Sequence, residues 1–168
     1  MTTIMKDTPS MPPVSIVIPL RIESTEREAN LHCVLQYLLR SPFVYIDLLE
    51  ADKERHFFFT HHERIRYRFV HDEEPVFYRT HYLNELLREA QHSIVGIWDA
   101  DVLIPEAQLI AAVWHVLGGC VLCFPYNGKF RFLEKERSNA IRKDMDELQA
   151  GEGYCLLGLQ SVGGAFLV

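Results

Sequence analysis

Two aspartates one residue apart, Asp99 and Asp101, close a short apolar run, Ile94-Val-Gly-Ile-Trp98. Apolar residues follow, then Pro105 and a stretch with helical spacing. A run this short, partly β-branched and bounded by charge, reads as a buried strand. The carboxylates would then stand at the strand's carboxyl end, the edge of an open α/β sheet where ligands bind. Side by side they repel each other unless a cation neutralises them. A hard divalent ion that shares its other positions with a ligand's phosphate oxygens meets that need. The same residues would also serve as the acids of a solvated turn that caps the next helix, and Asp-x-Asp alone does not separate the two readings.

Other residues with chemical potential have plainer readings. His56, His61 and His62 fall in a charged stretch. They could ligate a metal, but adjacent loop histidines more commonly face solvent. Cys120 and Cys123 have CxxC spacing, yet they lie in an apolar run with no second pair. Together with Cys33 and Cys155 they are expected to be core thiols rather than zinc or redox ligands. An Asp-x-Asp phosphatase would carry its carboxylates after the first strand, with a Thr two residues on. Here they follow the fourth strand and position 103 is Leu.

Composition narrows the class. The 168 residues are 48% hydrophobic and 24% charged, enough for one soluble domain with a core. A net charge of -6 and a pI near 5.7 give no basic footprint for nucleic acid. No apolar run approaches the roughly 20 residues of a transmembrane span. Residues 1–13 are polar and Pro-containing, lack the apolar core of a signal peptide, and read as a flexible lead-in to a single domain over 14–168. The expectation is a protein of the reducing cytoplasm, free or peripheral to the inner face of the membrane.

The elements that must position Asp99 and Asp101 follow from spacing. Residues 14–20 form a near-continuous apolar strand that should end at Pro19. Thr25-Glu-Arg-Glu28 has capping-box spacing, and Leu31, Val34, Leu35, Leu38 and Leu39 make one helical stripe that Ser41-Pro42 stops. Residues 44–49 are a second strand running into Glu50 and Asp52, and 65–70 a half-exposed third. After the acidic turn His71-Asp-Glu-Glu-Pro75, a helix begins near Tyr78 and buries Tyr82, Leu83, Leu86, Leu87 and Ala90. A helix from Pro105 carries Leu109, Ile110, Val113, Trp114 and Leu117 and ends at Gly118-Gly119. Residues 120–125 read as a fifth strand, with 130–133 a hairpin arm beyond the turn at 126–129. The charged stretch 135–149 has helical spacing at Ile141, Met145 and Leu148, 151–158 is a flexible Gly-rich link, and 161–168 is a last strand. Strands separated by helices imply an α/β fold, a mostly parallel sheet with helices on both faces.

Four motifs in this order resemble the nucleotide-sugar-binding region of GT-A glycosyltransferases of the family 2 type, in their galactosyltransferase-like branch. Val14-Ser-Ile-Val-Ile-Pro-Leu-Arg21 is similar to the family's opening strand, apolar-Pro-x-Arg. Phe77-Tyr-Arg-Thr-His-Tyr-Leu-Asn84 resembles its Phe-Asn-Arg-Ala-x-x-Leu-Asn helix start, with Tyr78 in place of Asn. Trp98-Asp-Ala-Asp-Val-Leu-Ile-Pro105 is close to its Ser-Asp-Val-Asp-Leu-Ile-Pro. Gly163-Gly164-Ala-Phe-Leu is similar to its Gly-Gly-Val-Ser-x-Leu strand.

The resemblance implies a three-layer α/β/α GT-A domain that transfers a sugar from a nucleotide diphosphate, a UDP-sugar, to a saccharide or glycan acceptor, as in bacterial polysaccharide biosynthesis. It implies Mn2+ or Mg2+ as cofactor, with Asp101 the direct ligand and Asp99 also a ligand or nearer the ribose. It places Pro19, Arg21, Arg79, Trp98 and Asp99 at the donor, and Glu50, with Asp52 as competitor, at the base or ribose. A core Trp98 and surface salt bridges for the two arginines are the plainer alternatives. The family's acidic, Trp-Gly-rich acceptor motif, which supplies the catalytic base of inverting members, has no counterpart before Val168. The chain is therefore expected to be truncated at its C-terminus. The other reading is a non-catalytic nucleotide-sugar-binding or scaffolding module with the same fold.

Overall fold

The run that begins at Val14 is a strand, β1 (Val14–Leu20), buried along its whole length. The computed structural model describes residues 11–128, 130–149, 154–157 and 164–168. After β1 come α1 (Thr25–Leu38), β2 (Val44–Asp52), β3 (Ile65–His71), α2 (Arg79–Glu89), β4 (Ile94–Trp98) and α3 (Glu106–Leu117). β5 (Phe130–Leu133), α4 (Lys135–Lys143), a 3₁₀ turn (Met145–Gln149), β6 (Tyr154–Leu157) and β7 (Ala165–Leu167) complete the described elements.

Five strands form one sheet in the order β3-β2-β1-β4-β7. The first four run parallel, and β7 joins β4 antiparallel. Because side chains alternate along a strand, the sheet has two apolar faces. Val14, Ile16, Ile18 and Leu20 meet Leu31, Val34, Leu35 and Leu38 of α1 and Leu109, Ala112 and Val113 of α3. Val17, Leu49, Ala51, Val95 and Ile97 meet Tyr82 and Leu86 of α2. The result is three layers, as expected, with a mostly parallel sheet between helices.

Two positions in β1 and β4 show how tightly the centre is filled. Gly96 lies opposite Ile16 in register, and a Cβ at Gly96 would collide with Ile16 Cδ1. Pro19 does not end β1, which continues to Leu20. It sits beyond Val17, where the ladder to β4 stops and only β2 still pairs. A residue without an N–H is better tolerated where one neighbour has left.

Some expected boundaries shift. The cap of α1 is Ser24, in extended conformation, whose Oγ accepts the Arg27 N–H at 3.2 Å; Thr25 is the first helical residue. Residues 120–125 are not a strand. They make a single antiparallel bridge, Cys123 to Leu167, because Val121 and Leu122 face outward and leave no apolar side to bury. β5 is a hairpin arm, but its partner is β6, inside the segment expected to be a flexible link. On α3, Trp114 and Leu117 are exposed and the small Ala112 is buried instead. Of the cysteines, Cys33 is buried, Cys123 half-buried and Cys120 exposed, so Cys120 is not a core thiol. Burial pushes the Cys33 and Cys123 thiols above their ordinary range. The side chain of Cys155, and residues 161–163 of the expected last strand, lie outside the described residues.

Candidate functional site at the carboxyl edge of the sheet

The strand order places a topological switch point between β1 and β4. From β1 the chain steps outward to β2 and β3, whereas β4 lies on the other side. Crevices outside the carboxyl ends of such strands are where open α/β sheets bind ligands. β1 delivers Arg21 to this edge, β2 delivers Glu50 and Asp52, β3 delivers Asp72, and β4 delivers Asp99 and Asp101.

Arg21 is spent on the framework. Its Nε donates to the Ala51 carbonyl at 2.9 Å, Nη1 to the Glu74 carbonyl at 3.0 Å, and Nη2 to Asp72 Oδ2 at 2.9 Å. Its guanidinium also lies 5.4 Å from the centre of the Phe77 ring. The spacing that drew attention to Arg21 says nothing about Asp72, yet Asp72 is the hub. The same Oδ2 accepts the Tyr82 hydroxyl at 2.6 Å, and Oδ1 accepts the Glu74 N–H at 2.9 Å. The Tyr82 hydroxyl, the Glu74 N–H and the Arg21 charge hold the Asp72 carboxyl below its usual range. Burial, and then the bond to Asp72, push the Tyr82 phenol up to about 12. This buried cluster fixes α2 against the ends of β1, β2 and β3.

Glu50 is wholly buried and likewise committed. Its oxygens accept the His56 N–H at 2.9 Å, the Phe57 N–H at 3.2 Å and the Tyr67 hydroxyl at 2.5 Å. It pins the loop after β2 rather than facing solvent. Asp52 is half-buried, and its Oδ1 accepts the Lys53 N–H at 2.8 Å. Trp98 is core, 1% exposed, with its indole N–H given to the Val102 carbonyl at 3.0 Å. Pro19 is buried within β1.

Three of the expected site residues present free chemistry to solvent. Arg79 is the first residue of α2, one helical turn before Tyr82. Its Nη2 donates to Asp99 Oδ1 in an ion pair whose partners are both about two-fifths exposed. Its helix start has no capping side chain and no acid in its first turn, and the positive end of a helix dipole favours an anion. Asp99 is oriented from its backbone, donating its N–H to the Gly164 carbonyl at 2.8 Å. Gly164 has φ +76°, a conformation that favours glycine. Asp101, exposed in the turn that follows, has no partner among the described residues. A shallow open pocket runs past Arg79, lined by Asp72, Phe77, Tyr78, Thr80 and His81 among others.

The donor set fits a hard cation in one specific way. Asp99 and Asp101 offer carboxylate oxygens only, and among the described residues no three His, Cys, Asp or Glu side chains converge on one point. Among the described residues, His56, His61 and His62 therefore belong to no such group of three. An ion held by one or two carboxylates, with the rest of its shell from water and a ligand's phosphates, is the habit of Mg2+ and its like.

No protein-family model matches the sequence, and no curated protein matches it significantly. Solved structures resemble the chain in part. One is a mannosyltransferase, PcManGT from Pyrobaculum calidifontis, in complex with GDP-Man and Mn2+. The chain is 19% identical to it over 80% of its own length and 39% of that chain, with a TM-score of 0.47. Another is the galactosyltransferase LgtC in complex with donor and acceptor sugar analogues. There the identity is 15%, over 92% of this chain and 57% of that one, with a TM-score of 0.38. The chain thus spans about two-fifths to three-fifths of the length of these structures. At these values neither assigns a substrate or a residue role to it. Among the described residues no helix is long and apolar enough to cross a membrane.

Proposed function

We propose that this chain binds the donor of a metal-dependent glycosyltransferase, a UDP-sugar whose diphosphate is held through a divalent ion, for transfer to a saccharide or glycan acceptor. The observation that supports this reading is the grouping of Arg79, Asp99 and Asp101 at the β1/β4 switch point. Two carboxylates and one half-exposed guanidinium would there receive a diphosphate with its counterion. Asp101 and Asp99 would hold the Mn2+ or Mg2+. Once bound, the ion supplies Lewis-acid neutralisation of the charge that develops on the leaving diphosphate.

The protein's own groups would do the rest. Arg79 offers the donors of a phosphate clamp, and the uncapped start of α2 favours the same anion. Arg21 and Asp72 hold α2 so that Arg79 faces Asp99. Pro19, Glu50 and Trp98 act from below, by shaping the strand ends and the loop that border the donor. A module that binds the donor without turnover would use the same contacts.

The test is thermal melting with UDP. UDP should raise the Tm with Mn2+ present and not in excess EDTA, since only a ligand of the native state stabilises it. Asp101→Ala should abolish the metal dependence and leave the Tm of the unliganded protein unchanged. Equal stabilisation by UDP in EDTA would overturn the reading.

A further inference from the structure

Two Arg–Asp pairs border the β1/β4 crevice, and they differ in kind. Arg21–Asp72 is buried, about one-tenth exposed on each side, and both residues bond several other groups. Arg79–Asp99 is half-exposed, and the Asp99 contact is the one hydrogen bond of the Arg79 side chain among the described residues. A pair of the second kind holds weakly and opens at little cost. The backbone beneath it is nevertheless fixed, because Tyr82, one turn along α2, is tied to Asp72. Arg79 can leave Asp99 by side-chain rotation alone.

We propose that Arg79 is an exchangeable counterion: it neutralises Asp99 until a divalent cation takes that carboxylate, and is then passed to the anionic ligand that accompanies the cation. The inference rests on the function proposed above and adds an order of events to it. A doubly charged ion on Asp99 and Asp101 competes with the guanidinium for the same oxygen and repels it. A phosphate arriving with the ion gives the guanidinium a new acceptor, beside a helix start that carries no acid. Cation and anion then favour each other's binding, and the coupling is reciprocal. It also means that the cation alone binds below the intrinsic affinity of its two carboxylates, because it must first displace Arg79.

One substitution therefore has opposite effects on two affinities. In Arg79→Ala, Mn2+ alone should bind more tightly, by up to about fivefold, the worth of a half-exposed ion pair. In the same variant UDP at saturating Mn2+ should bind at least about tenfold more weakly, as for loss of a charge-assisted hydrogen bond. Arg79→Lys keeps a cation and should bind Mn2+ alone as the wild type does. Titrate Mn2+ by electron paramagnetic resonance and UDP by calorimetry into each protein, with Asp101→Ala as the variant lacking the ion site. If Arg79→Ala leaves Mn2+ affinity unchanged or lowers it, while UDP binding still requires Mn2+, the exchange is overturned and the donor-site reading stands. If Arg79→Lys gains Mn2+ affinity as Arg79→Ala does, charge is not the cause and the exchange is again overturned. If neither wild type nor Arg79→Ala binds Mn2+, the donor-site reading fails and the exchange with it.

Discussion

Arg21 and Asp72 are 51 residues apart in the chain and 2.9 Å apart in space. Their bond joins the end of β1 to the end of β3 across β2. Tyr82 adds α2 to the same carboxylate. One acid thus sets the relative positions of three elements on which the candidate site depends.

This cluster makes stability depend on pH at both extremes. The Asp72 carboxyl is held below its usual range, so it contributes stability that is full above the unfolded carboxylate pKa, about 3.9. That contribution is lost as pH falls through the lower folded value. Tyr82 is pushed up to about 12. Its contribution is full below the unfolded phenol pKa, about 10, and is lost as pH rises through about 12. Urea midpoints measured across pH should therefore fall in both limbs. Asp72→Asn should flatten the acid limb and lower the neutral plateau, since Arg21 stays buried without its counter-charge. Tyr82→Phe should flatten part of the alkaline limb, leaving the part due to Tyr67, which burial and the bond to Glu50 also push up. An alkaline limb unchanged in Tyr82→Phe would mean that this phenol is not bonded in solution.

Glu50 should behave as a framework residue. Glu50→Ala leaves two backbone N–H groups and the Tyr67 hydroxyl without their acceptor, at a cost of about 2–4 kcal/mol for unsatisfied groups of this kind. Glu50→Gln should recover only part of it, because the amide brings donors to a place already full of them. Urea denaturation measures both. A change under about 0.5 kcal/mol, the range of an ordinary surface substitution, would show that the carboxylate is free to serve a ligand.

Gly96 should tolerate no side chain. Its Cβ would meet Ile16 Cδ1 in the middle of the sheet, so Gly96→Ala should cost about 1–3 kcal/mol by overpacking. Adding Ile16→Val removes the colliding methyl and should return part of the loss, a coupling that a double-mutant cycle detects. Strictly additive effects would exclude the collision as the cause.

These assignments show what spacing alone can and cannot carry. β1 and β4 were legible because a strand covered on both faces is largely apolar, β2 because its apolar residues Val44, Ile46, Leu48 and Leu49 form a short run, and α1 and α2 because their stripes use large residues. α3 was misread in part because a buried Ala112 adds little to a hydrophobic pattern, whereas Trp114 and Leu117 dominate it while facing outward. β6 was hidden because glycines on either side of Tyr154–Leu157 look like a linker. At the candidate site, Asp99 and Asp101 stand out at the end of an apolar run and Arg79 by motif order, and the fold brings the three to one edge. Asp72 was missed because it sits among Glu73 and Glu74, and three adjacent acids read as a solvated turn. Only the third dimension shows that Asp72 alone of them is buried.

The bond from Asp99 to the Gly164 carbonyl ties the acidic turn to local opening of the sheet edge. β1, at the centre, pairs with β2 and β4 on its two sides, and its ladder to β2 runs from Val14 to Leu20. The turn that carries Asp99 is braced by β7, a short strand (Ala165–Leu167) at the edge of the sheet whose strand neighbour there, among the described residues, is β4 alone. A short edge strand opens more readily than the centre of a sheet, so the brace on the acidic edge is the part expected to open first. Release of β7 would loosen Asp99 while the four parallel strands stayed paired. Native-state hydrogen exchange would show this as an Asp99 amide that opens together with Leu167 and well before Ile16; protection of Asp99 equal to that of Ile16 would place β7 in the same cooperative unit as the rest of the sheet.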